Sequence, residues 1–216
     1  MSGDWLRTER AELATERILD AARPLFIERG VAEVGMADIA RAVGCSRATL
    51  YRYYPDRHSL QVAYANREAR LLVRRIVRER AGDEPSDPTE RLLDQLIAVL
   101  GQVRRTPHLA VWFEPANLRV AAELSRSAEV IEALATGFAG HRAGHRGQLP
   151  PAAAQRLGRW TVRILVSLLL LPEASEHEER AMLRDYLLPL LTGRSQSAGS
   201  EPSAAAEVVP PQADRR

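Results

Sequence analysis

The 216-residue chain contains no lysine: all 30 of its basic side chains are arginine. This exclusive usage is consistent with a GC-rich coding bias and carries little information about chemistry. One cysteine, Cys45, rules out an intramolecular disulfide and every multi-cysteine metal site, and fits a reducing compartment. The longest apolar run, "ILVSLLLL" from Ile164, falls far short of the roughly 20 residues that span a bilayer, and Arg163 precedes it. The opening "MSGDWLRTERAELATER" is charged where an export signal needs an apolar core, so the expected location is the cytoplasm, without a membrane partner. No nucleophile, base and orienting group stand together, and no phosphate-loop or metal motif is present. These absences argue against an enzyme and against any cofactor.

What is present is a 45% hydrophobic composition, enough for a buried core, and a lopsided charge. Up to Arg80 there are 15 arginines against 11 acidic residues, a net +4; beyond it the count is 15 against 17, a net −2. The basic half is compatible with a polyanionic partner, although a charged solvated surface is the commoner explanation of so small an excess.

Helical periodicity dominates. In "RILDAARPLFIERG" Ile18, Ala21, Ala22, Leu25 and Phe26 recur at three- and four-residue spacing, with Pro24 the one anomaly and Gly30 placed for a left-handed cap. Met36, Ile39, Ala40 and Val43 predict a two-turn helix between Gly35 and Gly44. After a tight turn at Gly44 and Cys45, Ser46 is positioned to cap a third helix whose Leu50 and Tyr54 share a face, with Arg52 opposite. Pro55 ends it, and Asp56 is placed to cap a longer helix running to about Arg80 through Leu60, Ala63, Tyr64, Leu71, Leu72 and Ile76. "AGDEPSDP" breaks the pattern; "TERLLDQLIAVLGQV", "HLAVWF", "ANLRVAAELSRSAEVIEALATGF", "PAAAQRLGRWTVRILVSLLLL" and "EHEERAMLRDYLLPLL" then read as helices. From 193 to 216 the composition predicts a disordered tail.

Two short helices joined by a glycine turn and buttressed by a longer one make a helix-turn-helix, whose second helix enters the DNA major groove. On it Arg47 and Arg52 can reach phosphates or guanine, Thr49 offers a hydroxyl and a methyl, and Tyr51 and Tyr53 offer phenols to phosphate oxygens. Arg57 lies in the first turn of the next helix, where the dipole favours a phosphate. Cys45 reads as a small buried hydrophobe and not as a redox sensor. His141 and His145 in "GHRAGHRG" have metal-like spacing, but the glycines and arginines around them point to a solvated loop.

The run "RILDAARPLFIERGV…MADIARAVGCSRATLYRYYPDRHSL", Thr15 to Leu60, resembles the N-terminal DNA-binding domain of the TetR family of bacterial transcriptional regulators. That family's pattern is close to I-A-x-x-x-G-V-S-x-x-T-L-Y-x-x-F-x-x-K-x-x-L. The resemblance implies an all-α fold: a helix-turn-helix domain over 10–57 and a helical ligand-binding and dimerisation domain over 58–192. It implies DNA contacts from Ser46, Arg47, Ala48, Thr49, Tyr51, Arg52, Tyr53 and Arg57. Gly35 stands where the family usually has a threonine that caps the second helix and binds a phosphate; Cys45, Tyr54 and Arg57 replace valine, phenylalanine and lysine.

Similar proteins pair their last two helices across a two-fold axis, and here those helices are apolar around much of their circumference, which puts Leu168, Leu183, Leu187 and Leu190 in the expected interface. Similar proteins also enclose a ligand among the middle helices. Pro115 breaks a helix beside Trp112, Phe113, Glu114 and Asn117, and these, with Trp160 and Arg163, are the candidate ligand contacts. The expected function is a homodimeric repressor that binds a palindromic double-stranded DNA operator and responds to a small, largely apolar effector. The alternatives are a helical enzyme using the same cavity and a nonspecific architectural DNA binder.

Overall fold

The computed structural model describes residues 4–79, 87–124 and 151–192, and among these every regular element is helical. Helix α1, Asp4–Arg29, begins well before the periodic stretch and carries Pro24 without ending there. It stops at Gly30, whose φ of 80° is open to glycine at little strain. Next come α2, Met36–Val43, and α3, Arg47–Tyr53. Helix α4, Arg57–Glu79, starts from Asp56, whose carboxylate accepts from the Ser59 N–H at 2.6 Å while the Ser59 hydroxyl lies 3.3 Å from the Asp56 nitrogen. Helix α5, Pro88–Arg105, is capped by Asp87, which accepts from the Thr89 N–H.

The "HLAVWF" segment is not one helix. It is a single turn, α6, Pro107–Ala110, followed by 3-10 turns at Val111–Phe113 and Pro115–Asn117, because Pro115 cannot continue the hydrogen-bond ladder. Helix α7 is described over Leu118–Leu124; the rest of that expected helix, the loop holding His141 and His145 and the tail from 193 lie outside the described residues. Helix α8 spans Pro151–Leu170, and α9, Glu176–Met182, passes through one π turn, Leu183–Leu187, into α10, Leu188–Thr192. The π turn lies just ahead of Pro189, whose missing N–H and ring are incompatible with an ordinary bond back to Asp185.

Three cores organise these helices. The first joins α1 to α4 around Phe26, Ile39, Leu50, Leu60 and Tyr64 and reaches Trp112. The second packs α5 against α8, α9 and α10 through Leu93, Leu96, Leu168, Leu183 and Leu187; the third sets Leu72 and Ile76 of α4 on Val99 and Val103 of α5. Helix α4 therefore belongs to both halves of the molecule. Its Leu71, expected on the apolar face, is exposed.

Leu168, Leu183 and Leu187, read from the sequence as interface residues, are instead buried within the protomer. The correction has a simple cause: α5 covers the stripe that looked unpartnered, and the apolar side chains left in water on these elements are Leu171, Tyr186 and Leu190, at 74%, 71% and 53% exposure. Arg104 fastens this packing, donating to both carboxylate oxygens of buried Glu179 and to the Leu168 carbonyl. Among the described residues no helix is long and apolar enough to cross a membrane.

Candidate nucleic-acid interface and cavity

The turn between α2 and α3 is built from backbone chemistry. Gly44 adopts φ 77°, ψ 31°, and the N–H groups of Gly44 and Cys45 close on the carbonyls of Arg41 and Ala40. Cys45 packs half-buried against the first core, as a small hydrophobe does. Gly35 offers α2 no side-chain cap; Asp38 supplies the reciprocal half, accepting the Gly35 N–H at 3.1 Å. Arg29 and that N–H hold the Asp38 carboxyl below its usual range.

Helix α3 is anchored by Leu50, fully buried, and by Tyr54 at its end, where burial pushes the phenol up to about 12. With that face fixed, Arg47, Ala48, Tyr51 and Arg52 point to solvent, while Thr49 and Tyr53 are half-buried. The Ser46 hydroxyl accepts from the Thr49 N–H and lies 2.9 Å from the Thr49 hydroxyl, so these two polar groups already partner each other. Arg52 sits over the Tyr53 ring at 5.8 Å. Arg57 is exposed at the same edge, but one of its amino groups donates to the Ala32 carbonyl at 2.8 Å, which leaves its other donors for a phosphate. The result is a helix anchored along one side and presenting cations and a phenol to water.

A second feature lies among α4, α5, α7 and α8: a cavity of about 130 Å³. Of the six residues expected to hold a ligand, Trp112 and Phe113 are on its wall. Glu114 and Arg163 are exposed, Trp160 packs against the second core, and Asn117 is buried in hydrogen bonds to backbone. Arg163 points outward because Val162, Leu165, Val166 and Leu169 occupy the inward side of α8. That inward stripe has spacing i, i+3, i+4, i+7, and on α4 Tyr64, Glu68 and Leu72 follow at i, i+4, i+8. Both patterns are visible in the sequence; which face turns toward the cavity is not.

Phe26 backs two of the wall residues, Tyr64 and Trp112, in an aromatic cluster with centroids 5.1, 5.6 and 5.7 Å apart. Glu68 is the charged side chain on the wall. One of its oxygens accepts from Arg23 at 2.9 Å and Arg67 at 3.0 Å, and the other lies 3.2 Å from His108. Burial alone pushes the Glu68 carboxyl up, but the two guanidiniums outweigh it and hold it below its usual value. Burial lowers His108 despite the facing carboxylate. Arg67 also reaches Glu16 and Asp20 of α1. Among the described residues no group of three or more His, Cys, Asp or Glu is placed to hold a metal.

The family profile described as bacterial regulatory proteins, tetR family, matches residues 18–64, the segment containing the turn and α3. The chain is 44% identical over 195 residues to the uncharacterized HTH-type transcriptional regulator Rv1255c of Mycobacterium tuberculosis, covering 90% of this chain and 94% of that one. It is 31% identical over 159 residues to the HTH-type transcriptional repressor LfrR of Mycolicibacterium smegmatis, covering 72% and 76%. Its fold matches the crystal structure of the TetR-family repressor FadR of Thermus thermophilus in complex with lauroyl-CoA, at TM-score 0.55 and 22% identity over 87% of this chain and 98% of that one. With its helix-turn-helix and these relatives, the chain belongs to the tetR family of bacterial regulatory proteins and is a DNA-binding transcriptional regulator, not an enzyme.

Proposed function

We propose that this chain is a cytoplasmic, homodimeric repressor that binds a palindromic DNA operator through α3 and releases it when a small, largely apolar effector fills the cavity. The observation that carries the reading is the contrast on α3 itself: Leu50 and Tyr54 lock one side into the core, so Arg47, Tyr51 and Arg52 are held outward on a rigid frame. Preorganised donors of this kind suit phosphates and guanine edges. On this reading residues 10–57 are the DNA-binding part, 58–192 bind effector and partner, and α4 belongs to both.

Repression is the activity named for LfrR, and an effector site is supported by the cavity and by the lauroyl-CoA complex of FadR. An engineered cavity of about 150 Å³ lined by apolar side chains binds benzene, so the space here suits a ligand of one ring or a short alkyl chain. A dimer is supported by Leu171, just past α8, and by Tyr186 and Leu190 on the last helical segments, apolar side chains that are exposed.

The test is selection of duplexes from a random library by the native chain. A recurrent inverted repeat, bound by two protomers, is expected; enrichment of no sequence over a control pool identifies an architectural binder instead.

A further inference from the structure

Asn117 is 1% exposed and lies 85 residues from its partner in the DNA-binding part. Its Oδ1 accepts from the Ala32 N–H at 2.9 Å, and its Nδ2 donates to the Val111 carbonyl at 2.7 Å. One partner is a donor and the other an acceptor, so the amide has a single orientation that satisfies both.

Both partners are strategically placed. Val111 opens the 3-10 turn that carries Trp112 and Phe113 onto the cavity wall, and the Trp112 indole N–H is itself fixed to the His108 carbonyl. Ala32 sits in the turn that joins α1 to α2. Its carbonyl accepts from Arg57, and that of Val31 accepts from Gln61 at 3.1 Å, so α4 holds the same turn from the other side. Gly30 allows the close approach: a Cβ there would stand 3.4 Å from both polar atoms of the Asn117 amide.

We propose that Asn117 is the latch by which the state of the cavity reaches the DNA-binding helices, acting as a positioning residue; this rests on the effector reading above. An occupant that pushes Trp112 and Phe113 outward displaces Val111. Either Asn117 carries the α1–α2 turn with it, shifting α2 and α3, or one of two buried hydrogen bonds breaks and leaves a polar group unpaired in the interior. Both responses tie the operator-competent arrangement to an empty cavity. The exposed His58–Glu123 pair, 3.9 Å apart, joins the start of α4 to α7 within the second part and carries little energy by comparison.

A permanent occupant replaces the unidentified effector in the test. Val166, on the α8 wall away from Asn117, is changed to Phe, and affinity for a duplex selected by the native chain is measured in the native, Asn117→Ala and Asn117→Asp backgrounds. Asp keeps the acceptor for Ala32 but presents no donor to Val111. In the native background Val166→Phe is expected to weaken DNA binding by about 5- to 150-fold, the ordinary range of coupling between sites. In either Asn117 background the expected weakening is less than about 2-fold, with helical circular dichroism retained.

Should both Asn117 variants fail to fold, hydrogen exchange at the Ala32 amide decides within an intact Asn117 background: faster exchange in Val166→Phe than in native protein supports the latch, and equal protection contradicts it. An equal loss of DNA affinity in all three backgrounds overturns the latch while leaving effector control standing. No loss in the native background overturns effector control and the latch with it.

Discussion

Arginines do two different jobs in two regions of the molecule. On α3, Arg47 and Arg52 stand in water on a face that holds no acid, backed by a tyrosine. Between α1, α4 and α6, Arg23 and Arg67 converge on buried Glu68, and Arg67 takes Glu16 and Asp20 as well. A cation left in water can exchange its hydration for a phosphate, and each phosphate it neutralises releases counterions. A cation turned inward has its carboxylate already and serves to join helices. The same residue type thus makes the binding surface on one side of α1–α4 and the frame that keeps that surface in place on the other.

The largest effect expected from breaking this contrast is on the frame. Glu68→Leu removes the buried carboxylate shared by Arg23 and Arg67, while Arg67 keeps Glu16 and Asp20 and Arg23 is partly in water, and is expected to lower stability by about 3 kcal/mol, the low end for a broken buried pair, read by chemical denaturation. Leu187→Glu, at 1% exposure, should likewise abolish the folded protomer, whereas Tyr186→Glu with Leu190→Glu, both exposed, should leave helix content intact and yield monomers in light scattering. A folded, dimeric Leu187→Glu protein would contradict the packing of α5 against α8–α10.

Changes to the exposed face come next. Arg47→Ala, Tyr51→Ala and Arg52→Ala are each expected to weaken operator binding by about 1–3 kcal/mol without altering the melting curve, and the two arginine changes also to flatten the dependence of affinity on salt, which the neutral phenol does not set. Arg57→Ala should do both, because it gives up the hydrogen bond to the Ala32 carbonyl as well as a phosphate donor.

A smaller effect concerns pH. Folded His108 titrates below its ordinary 6.5, so as pH falls below that value the unfolded chain takes up a proton the folded one does not, and stability declines. Glu68, also held low, adds its own loss further down, as pH falls through its ordinary carboxyl range and below. Denaturation curves for His108→Gln should lose the upper part of this decline and keep the lower. The smallest effect is at Gly35: its φ is −97°, and a Cβ there would meet only Asp38 Oδ2 within 4 Å, so Gly35→Thr fits and should gain a few tenths of a kcal/mol in stability.

Residues 30–60 were legible because their signals are local. Gly30 and Gly44 announce left-handed backbone, Ser46 and Asp56 announce caps, and Leu50 with Tyr54 announces the buried face; each rule acts within a few residues. The cavity was only half legible. Trp112 and Phe113 were found through the Pro115 break, but Asn117 binds backbone instead of facing the cavity, and Arg163 faces water, because those outcomes depend on partners far along the chain. The same holds for Leu168, Leu183 and Leu187: an apolar stripe states that something covers it, and periodicity cannot say whether the cover is α5 or a second copy. The ion cluster around Glu68 was missed for a related reason, since its members come from α1, α4 and α6 and have no common motif.

The central claim is that α3 reads DNA with its exposed cations and phenol. Hydroxyl-radical footprinting of the selected duplex tests it most directly, comparing the native chain with the Arg47→Ala/Tyr51→Ala/Arg52→Ala variant. Two protected half-sites related by a dyad and about 10 base pairs apart are expected for the native protein, with loss of both in the variant at unchanged helix content. Undiminished protection by the variant would contradict it.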